Sequence, residues 1–340
     1  MRFNTRHDNV GDQLIFYYLY EEARRHGDVH LVSSCPKFMN LRPLRWRQAL
    51  QVAIRDHFLG KKNIVFIAPP GARFNAPNSY SPPYLKTQAI NFFWKLLKTR
   101  FLLLGVSFDP KMDLHDCRIF SFLGIRDNLS LAAAKHQQLS QADYCPDMAF
   151  LMPQNSKPFS QNLNALISFR CETPDVGDHD FRGDLEKALP AVFKSIAPIV
   201  KKFKAYHQVT EDFDFNSKIA QEYATAYSIE FVSQMPNVYD LSFYSKDCSI
   251  VISNRLHVLL PAMAAGALPI AVIASKHFKI HSIFETLGIS DCLVFIDKGD
   301  TVISQINKIL ENAEFIVQRN NEVFLKQAEL VRNIIKKLLN

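Results

Sequence analysis

Residues 250–270 read IVISNRLHVLLPAMAAGALPI, and a guanidinium and an imidazole stand two positions apart in a run otherwise apolar or small. Arg255 falls between an apolar strand pattern and the apolar VLLPAMAAGALP. A charge in that setting needs a partner, either an internal carboxylate or a bound anion. His257 follows at the expected mouth of a helix, where backbone N–H groups already favour negative charge. A lone histidine is more often a satisfied core residue. Beside Arg255 it is a candidate phosphate ligand or a proton donor working near neutral pH.

The same kind of residue recurs after other apolar runs. Ser107 and Asp109 follow LLLGV, Arg126 and Asp127 follow FLGI, and Arg170 follows ALISF. His207 and Gln208 follow FKAY, and Lys276 and Lys279 follow LPIAVIA. In open α/β sheets ligands bind beyond the carboxyl ends of the strands. Cations and hydrogen-bonding groups gathered there suit a small, multiply charged anion. Each has a plainer reading. Arg126 and Asp127 would serve as a local ion pair, and Asn9, Gly11 and Asp12 in DNVGDQL as a helix start with its cap.

The elements that must position these residues follow from pattern. Short β-branched runs (HLVSS, NIVFIAP, FLLLGVSF, RIFSFLGIRD, then NALISFR, FKAYHQV, SIEFVS, CSIVISNR, LPIAVIA, CLVFID) alternate with helical stretches such as DQLIFYYLYEEARRHG and DLEKALPAVFKSIAPIVKKF. That alternation predicts the α/β class with parallel sheets. The Pro-, Ser- and Asn-rich stretch around 154–164 reads as a linker. It separates an N-terminal domain, 1–153, from a C-terminal domain, 165–340, whose last amphipathic helix either closes its own domain or leans back on the first.

Composition sets outer limits. The 340 residues are 48% hydrophobic and 21% charged, which is ordinary globular material. The nearest approach to a membrane span, NFFWKLLKTRFLLLGVSF, is interrupted by Lys95, Lys98 and Arg100. MRFNTRHDNVGD does not resemble a signal peptide. Six scattered cysteines make no CxxC pair, so the expectation is a reduced cytoplasmic protein with no structural metal. The net charge of +7 suits anionic partners. It is densest in residues 41–62, where Arg42, Arg45, Arg47, Arg55, Lys61 and Lys62 surround apolar residues and Trp46. Such a helix is either a solvated face or one that lies on a membrane surface. No nucleic-acid signature is present.

DNVGDQLI, GIRDNLS at 124–130, ADYCPDMAF at 142–150 and ISNRLHVLLPAMAAGALPIAV at 252–272 resemble, in order and spacing, the polysaccharide pyruvyl transferases. The resemblance runs from about residue 8 to residue 297. It implies two Rossmann-like parallel-sheet domains facing across a cleft, the GT-B-like arrangement of one large glycosyltransferase class. It also implies transfer of pyruvate from phosphoenolpyruvate to a saccharide as a cyclic ketal, with phosphate released and with neither cofactor nor metal. The acceptor would be a cell-surface polysaccharide or its lipid-diphosphate-linked repeat unit, handled at the inner face of the membrane. On that pattern Arg255 grips the donor and His257 acts as general acid or phosphate ligand. Arg126 holds the donor from the other domain, and Asp12 is a base or sugar ligand. Asn9, Ser107, Arg170, His207, Leu256 and Lys279 (with Lys276 the alternative lysine) line the substrate site. Pro69 and Pro70 in APPGARF replace glycines of the family pattern. Two rival readings remain: a glycosyltransferase using a nucleotide sugar on the same architecture, and a sugar- or anion-binding protein without turnover.

Overall fold

The structure, a computed structural model, describes residues 9–31, 44–60, 65–68, 99–155, 157–160, 164–171, 181–235, 247–298 and 301–340. Over these residues the chain forms two compact units, one of 12–151 with 328–340 and one of 9–11 with 152–327. Each is built on a parallel sheet.

In the first unit β1 (Val65–Ala68), β2 (Arg100–Val106), β3 (Phe122–Ile125) and β4 (Ala142–Tyr144) pair in chain order. Leu102, Leu103, Leu104 and Val106 are buried in succession, the signature of a strand covered on both faces. In α1 (Val10–Arg24) buried Ile15, Leu19 and Ala23 recur at the four-residue interval of one helix face. α2 (Trp46–Phe58) packs Leu50, Ala53 and Ile54 against Phe66 and Phe101, whose rings stack at 5.4 Å. α3 (Asn128–His136) starts at Asp127, which accepts a hydrogen bond from the Ser130 N–H.

The second unit runs β5 (Asn164–Ser168), α4 (Phe181–Ile196), β6 (Phe203–Tyr206), α5 (Phe213–Tyr223), β7 (Ile229–Val232), β8 (Cys248–Ser253), α6 (Leu256–Ala264), β9 (Leu268–Ile273), α7 (Phe278–Leu287), β10 (Leu293–Phe295) and α8 (Val302–Glu311), before the long α9 (Ala313–Leu339). The sheet order is β10-β9-β8-β5-β6-β7. The chain therefore winds outward from β5 to one edge, returns, and winds outward from β8 to the other, as in dinucleotide-binding folds. The reversal between β5 and β8 leaves a crevice at their carboxyl ends, where open α/β sheets take their ligands. Every residue of β8 and β9 is buried, and burying each Ile, Val or Leu stabilises by about 1.5–3 kcal/mol.

Several expectations change in detail. The helical pattern at 184–203 stops at Ile196, because Phe203 already opens β6. The short β4, with exposed Asp143 at its centre, was not among the expected strands. The described part of 154–164 is packed: the Asn155 N–H donates to the Ala264 carbonyl at 2.8 Å and the Gln154 amide to that of Asn321 at 3.2 Å. Gly266, with φ +73°, approaches that stretch so closely that an added Cβ would lie 2.5 Å from the Lys157 nitrogen. Only glycine satisfies both conditions. Most of HLVSS, and APPGARF beyond Ala68, lie outside the described residues.

Candidate functional site

The crevice of the second unit is built by three strand ends. After β5, the Arg170 main chain is held on both sides by Asn254, which accepts from its N–H at 2.8 Å and donates to its carbonyl at 2.6 Å. The Ser253 hydroxyl donates to the Ser168 carbonyl at 2.5 Å and accepts from the Arg255 N–H at 3.0 Å. The polar stretch after β8 thus begins as a brace. Asn254 and Ser253 lock the ends of β5 and β8 together, and Arg255 and His257 leave from that fixed point. Arg255 is the N-cap residue of α6 without a side-chain cap bond. The first amides of α6, at Leu256 and His257, occupy positions that a helix cannot satisfy internally. The Leu256 side chain is buried, so anything it offers a ligand comes from its backbone.

Arg255 has an internal partner. Its Nη2 forms an ion pair with Oδ2 of Asp212, a residue that the sequence did not single out. Asp212 lies between β6 and α5, and Asn216 holds its carbonyl at 2.9 Å. Burial raises the Asp212 carboxyl above its ordinary range, outweighing the opposing pull of Arg255 and, more weakly, of Arg170. Arg255 is therefore not the free cation expected, but its bond is incomplete. Neither Arg255 Nε nor Asp212 Oδ2 has a hydrogen-bond partner of good geometry, although both are buried. Buried polar atoms are rarely left so.

Two more orphaned atoms belong to the residues after β6, His207 Nδ1 and Gln208 Oε1. His207 is buried with its ring 5.1 Å from Phe213 and 6.3 Å from Phe231, and burial lowers its pKa. His207 therefore stands at this strand end as a hydrogen-bonding group whose charged form is disfavoured by burial. Gln208 anchors the segment before α1, donating to Asn9 Oδ1 at 3.0 Å, while its carbonyl accepts from the Val10 N–H at 3.4 Å. The same Asn9 oxygen accepts from the Gly11 N–H at 3.0 Å. An added Cβ on Gly11 would fall 2.0 Å from Gln208 Nε2, 2.7 Å from His257 Cβ and 2.9 Å from His257 Nδ1. The Asn9–Gly11 segment and His257 of RLH are therefore two sides of one contact. Asp12 follows in the first turn of α1, where a carboxylate suits the helix dipole. Lys279 is buried in the first turn of α7 and Lys276 is exposed.

The RD motif of the first unit forms a separate cluster. Arg126 Nη1 pairs with Asp147 Oδ2, and its Nε donates to the Ser107 hydroxyl at 2.8 Å. The other Asp147 oxygen accepts from the Ala149 N–H at 2.8 Å. Arg126 and Asp147 are 5% and 1% exposed, so this charge is answered in place. Arg126 and Ser107, expected to hold the donor and the substrate, already have internal partners, and both fasten the ends of β2, β3 and β4. Asp127 does not pair with Arg126 as proposed from adjacency. Its second oxygen accepts from the Ser130 hydroxyl at 2.8 Å.

Burial pushes the thiols of Cys117, Cys145, Cys248 and Cys292 up to about 12, so at neutral pH they are not thiolate nucleophiles. Among the described residues no group of three or more His, Cys, Asp or Glu is placed to hold a metal.

Solved structures share this architecture at low identity. The MnaA–UDP co-structure from S. aureus aligns over 99% of this chain and 95% of its own, with TM-score 0.58 and 10% identity. The UDP-GlcNAc 2-epimerase from Neisseria meningitidis bound to UDP-GlcNAc aligns over 97% and 96%, with TM-score 0.55 and 10% identity. An E. coli trehalose-6-phosphate structure bound with UDP-2-fluoro glucose aligns over 97% and 85%, with TM-score 0.52 and 11% identity. These establish the fold, two parallel-sheet α/β domains of GT-B type. No curated protein matches in sequence. The model of one sequence family, polysaccharide pyruvyl transferase, matches residues 9–276, a span that holds both the Asn9–Gly11 segment and the Arg255–His257 turn it touches. The chain belongs to the polysaccharide pyruvyl transferase family, and it is a transferase.

Proposed function

We propose that the protein moves pyruvate from phosphoenolpyruvate to two hydroxyls of one saccharide unit, releasing phosphate and forming a cyclic ketal. The acceptor is a polysaccharide or its lipid-diphosphate-linked repeat unit. What supports this reading is the set of orphaned buried atoms at the strand ends of the second unit. Arg255 Nε offers an unused donor to an anion, whereas Gln208 Oε1 offers an unused acceptor to a hydroxyl group. A dianionic donor together with a polyol answers both kinds of vacancy.

In this scheme Arg255, Arg170 and the first amides of α6 hold the carboxylate and phosphate, and Lys279 adds charge from α7. Guanidinium forks suit such groups better than ammonium. His257 delivers a proton to the methylene carbon, leaving C2 electrophilic. One sugar hydroxyl adds there and surrenders its proton to a base, for which Asp12, the residue after Gly11, is the candidate. The second hydroxyl then bonds to C2 as the C2–O bond to phosphate breaks, and its proton leaves with the phosphate. The balance is one donor and two hydroxyls in, one ketal and one inorganic phosphate out. A nucleotide-sugar reading has one observation in its favour, the UDP ligands of the similar folds.

The test is incubation with phosphoenolpyruvate and a panel of saccharides, following phosphate release and the mass of the acceptor. The expected result is phosphate released in step with an acceptor gaining a ketal. Phosphoenolpyruvate surviving every acceptor while a UDP-sugar is consumed would replace this reading with glycosyl transfer.

A further inference from the structure

We propose that the outer face of α2 is a docking surface for an anionic lipid bilayer. The helix has two unlike sides. Ala49 and Ala53 are buried, and with Leu50 and Ile54 they form the side that packs on the sheet. Arg47, Gln51 and Arg55, at four-residue spacing, lie on the exposed side, and Arg45 is exposed just before the helix. That stripe ends in Phe58 and Leu59, which are 82% and 68% exposed. They are the two most exposed large hydrophobic residues among those described.

Scattered single apolar residues on a surface mean little, but these are adjacent and continue a cationic stripe. The only carboxylate in the segment, Asp56, is engaged by its neighbour Arg55, the guanidinium lying 2.9 Å away. Arg47 has no ion pair among the described residues. The helix cannot cross a bilayer, and no described helix is long and apolar enough to do so. Exposed arginines with a bulky apolar end match the chemistry of a surface-lying helix: the rings and aliphatic groups enter the boundary of the acyl chains while the guanidiniums meet phosphate headgroups. Occupancy by a second copy of this chain is less well matched, because two cationic stripes would face each other. The inference does not depend on the chemistry assigned to the second unit.

The experiment is flotation of the full chain with vesicles of equal parts phosphatidylglycerol and phosphatidylcholine, against vesicles of phosphatidylcholine alone. The protein should float with the anionic vesicles and remain behind with the neutral ones. Each arginine near such a surface contributes about five-fold in partitioning, so Arg47→Glu should weaken binding by ten-fold or more. Phe58→Ser with Leu59→Ser should weaken it comparably, and raised salt should weaken it further in the wild type. Unchanged thermal melting of both variants would tie any loss to the surface. Equal flotation with both vesicle types, flotation of either variant like wild type, or a dimer that the serine variant converts to monomer without any flotation would overturn the proposal.

Discussion

In the proposed scheme Asp212 is the residue to test first, because its ion pair with Arg255 would compete with a bound anion. Its carboxyl is raised by burial, with Glu211 adding a small push and Arg255 and Arg170 opposing. A raised acid favours the folded state fully below its unfolded pKa, near 3.8, and loses that contribution as pH rises through its folded value. The same titration sets donor binding. Once ionised, Asp212 holds Arg255 more tightly and adds a repelling charge, so the KM for the donor should rise with pH. In Asp212→Asn that rise should flatten relative to wild type, the donor's own titration being common to both. Parallel KM–pH curves for the two proteins would show that Asp212 does not compete. His257→Ala makes a separate claim. Losing a positioned acid costs typically 10²–10⁴-fold in turnover, and a variant of normal stability with near-normal kcat would remove His257 from the proton transfers.

At the scale of elements, two close fits hold the strand ends in register. Gly11 lets the start of α1 lie against Gln208 and His257, and the backbone there has no room for a methyl group. Gly11→Ala should therefore displace the Gln208 amide and His257, costing about 1–3 kcal/mol in denaturant stability and a larger share of activity. Wild-type stability together with wild-type kinetics would mean that the contact is not maintained in solution. The Arg126–Asp147 pair joins the ends of β3 and β4, and Ser107 brings in the end of β2. Asp147→Ala would strand a guanidinium that is 5% exposed, at about 3–5 kcal/mol, read as a lower urea midpoint. A loss below about 1 kcal/mol would show that Arg126 finds its partner elsewhere. Such pairings are hard to see in a sequence. Arg126 stands 19 residues after Ser107 and 21 before Asp147, and only the parallel register of three strands sets them side by side. The apolar runs of β5, β8 and β9 and the two-sided α2 were legible because burial writes its period into the chain. Asp212 was not, because the TED that holds it has the composition of a surface turn, yet its carboxylate is buried against Arg255, which is 43 residues further along the chain.

For the whole molecule, the question is which unit carries the donor. Sequence reasoning assigned cations to both, since both place arginine after a strand. The structure separates the two cases by what each guanidinium already has. Arg126 is bound to a carboxylate and a hydroxyl, whereas Arg255 keeps a buried Nε without a partner beside other orphaned atoms. Binding free energy is spent most effectively where polar groups lack partners before the ligand arrives, so phosphoenolpyruvate should order the second unit's strand ends and leave the first unit's cluster unchanged. Hydrogen exchange resolves this directly, since local opening is suppressed where a ligand binds. With donor at ~100 times its dissociation constant, stabilisation of ~2.7 kcal/mol corresponds to about a hundred-fold slowing of exchange for amides that open only in the unbound state. That slowing should appear in peptides covering 164–171, 203–213 and 250–260, with little change in 122–130. Protection centred on 122–130 instead would move the donor to Arg126 and leave the vacancies around Arg255 to the acceptor, reversing the roles of the two units while leaving the family's reaction intact.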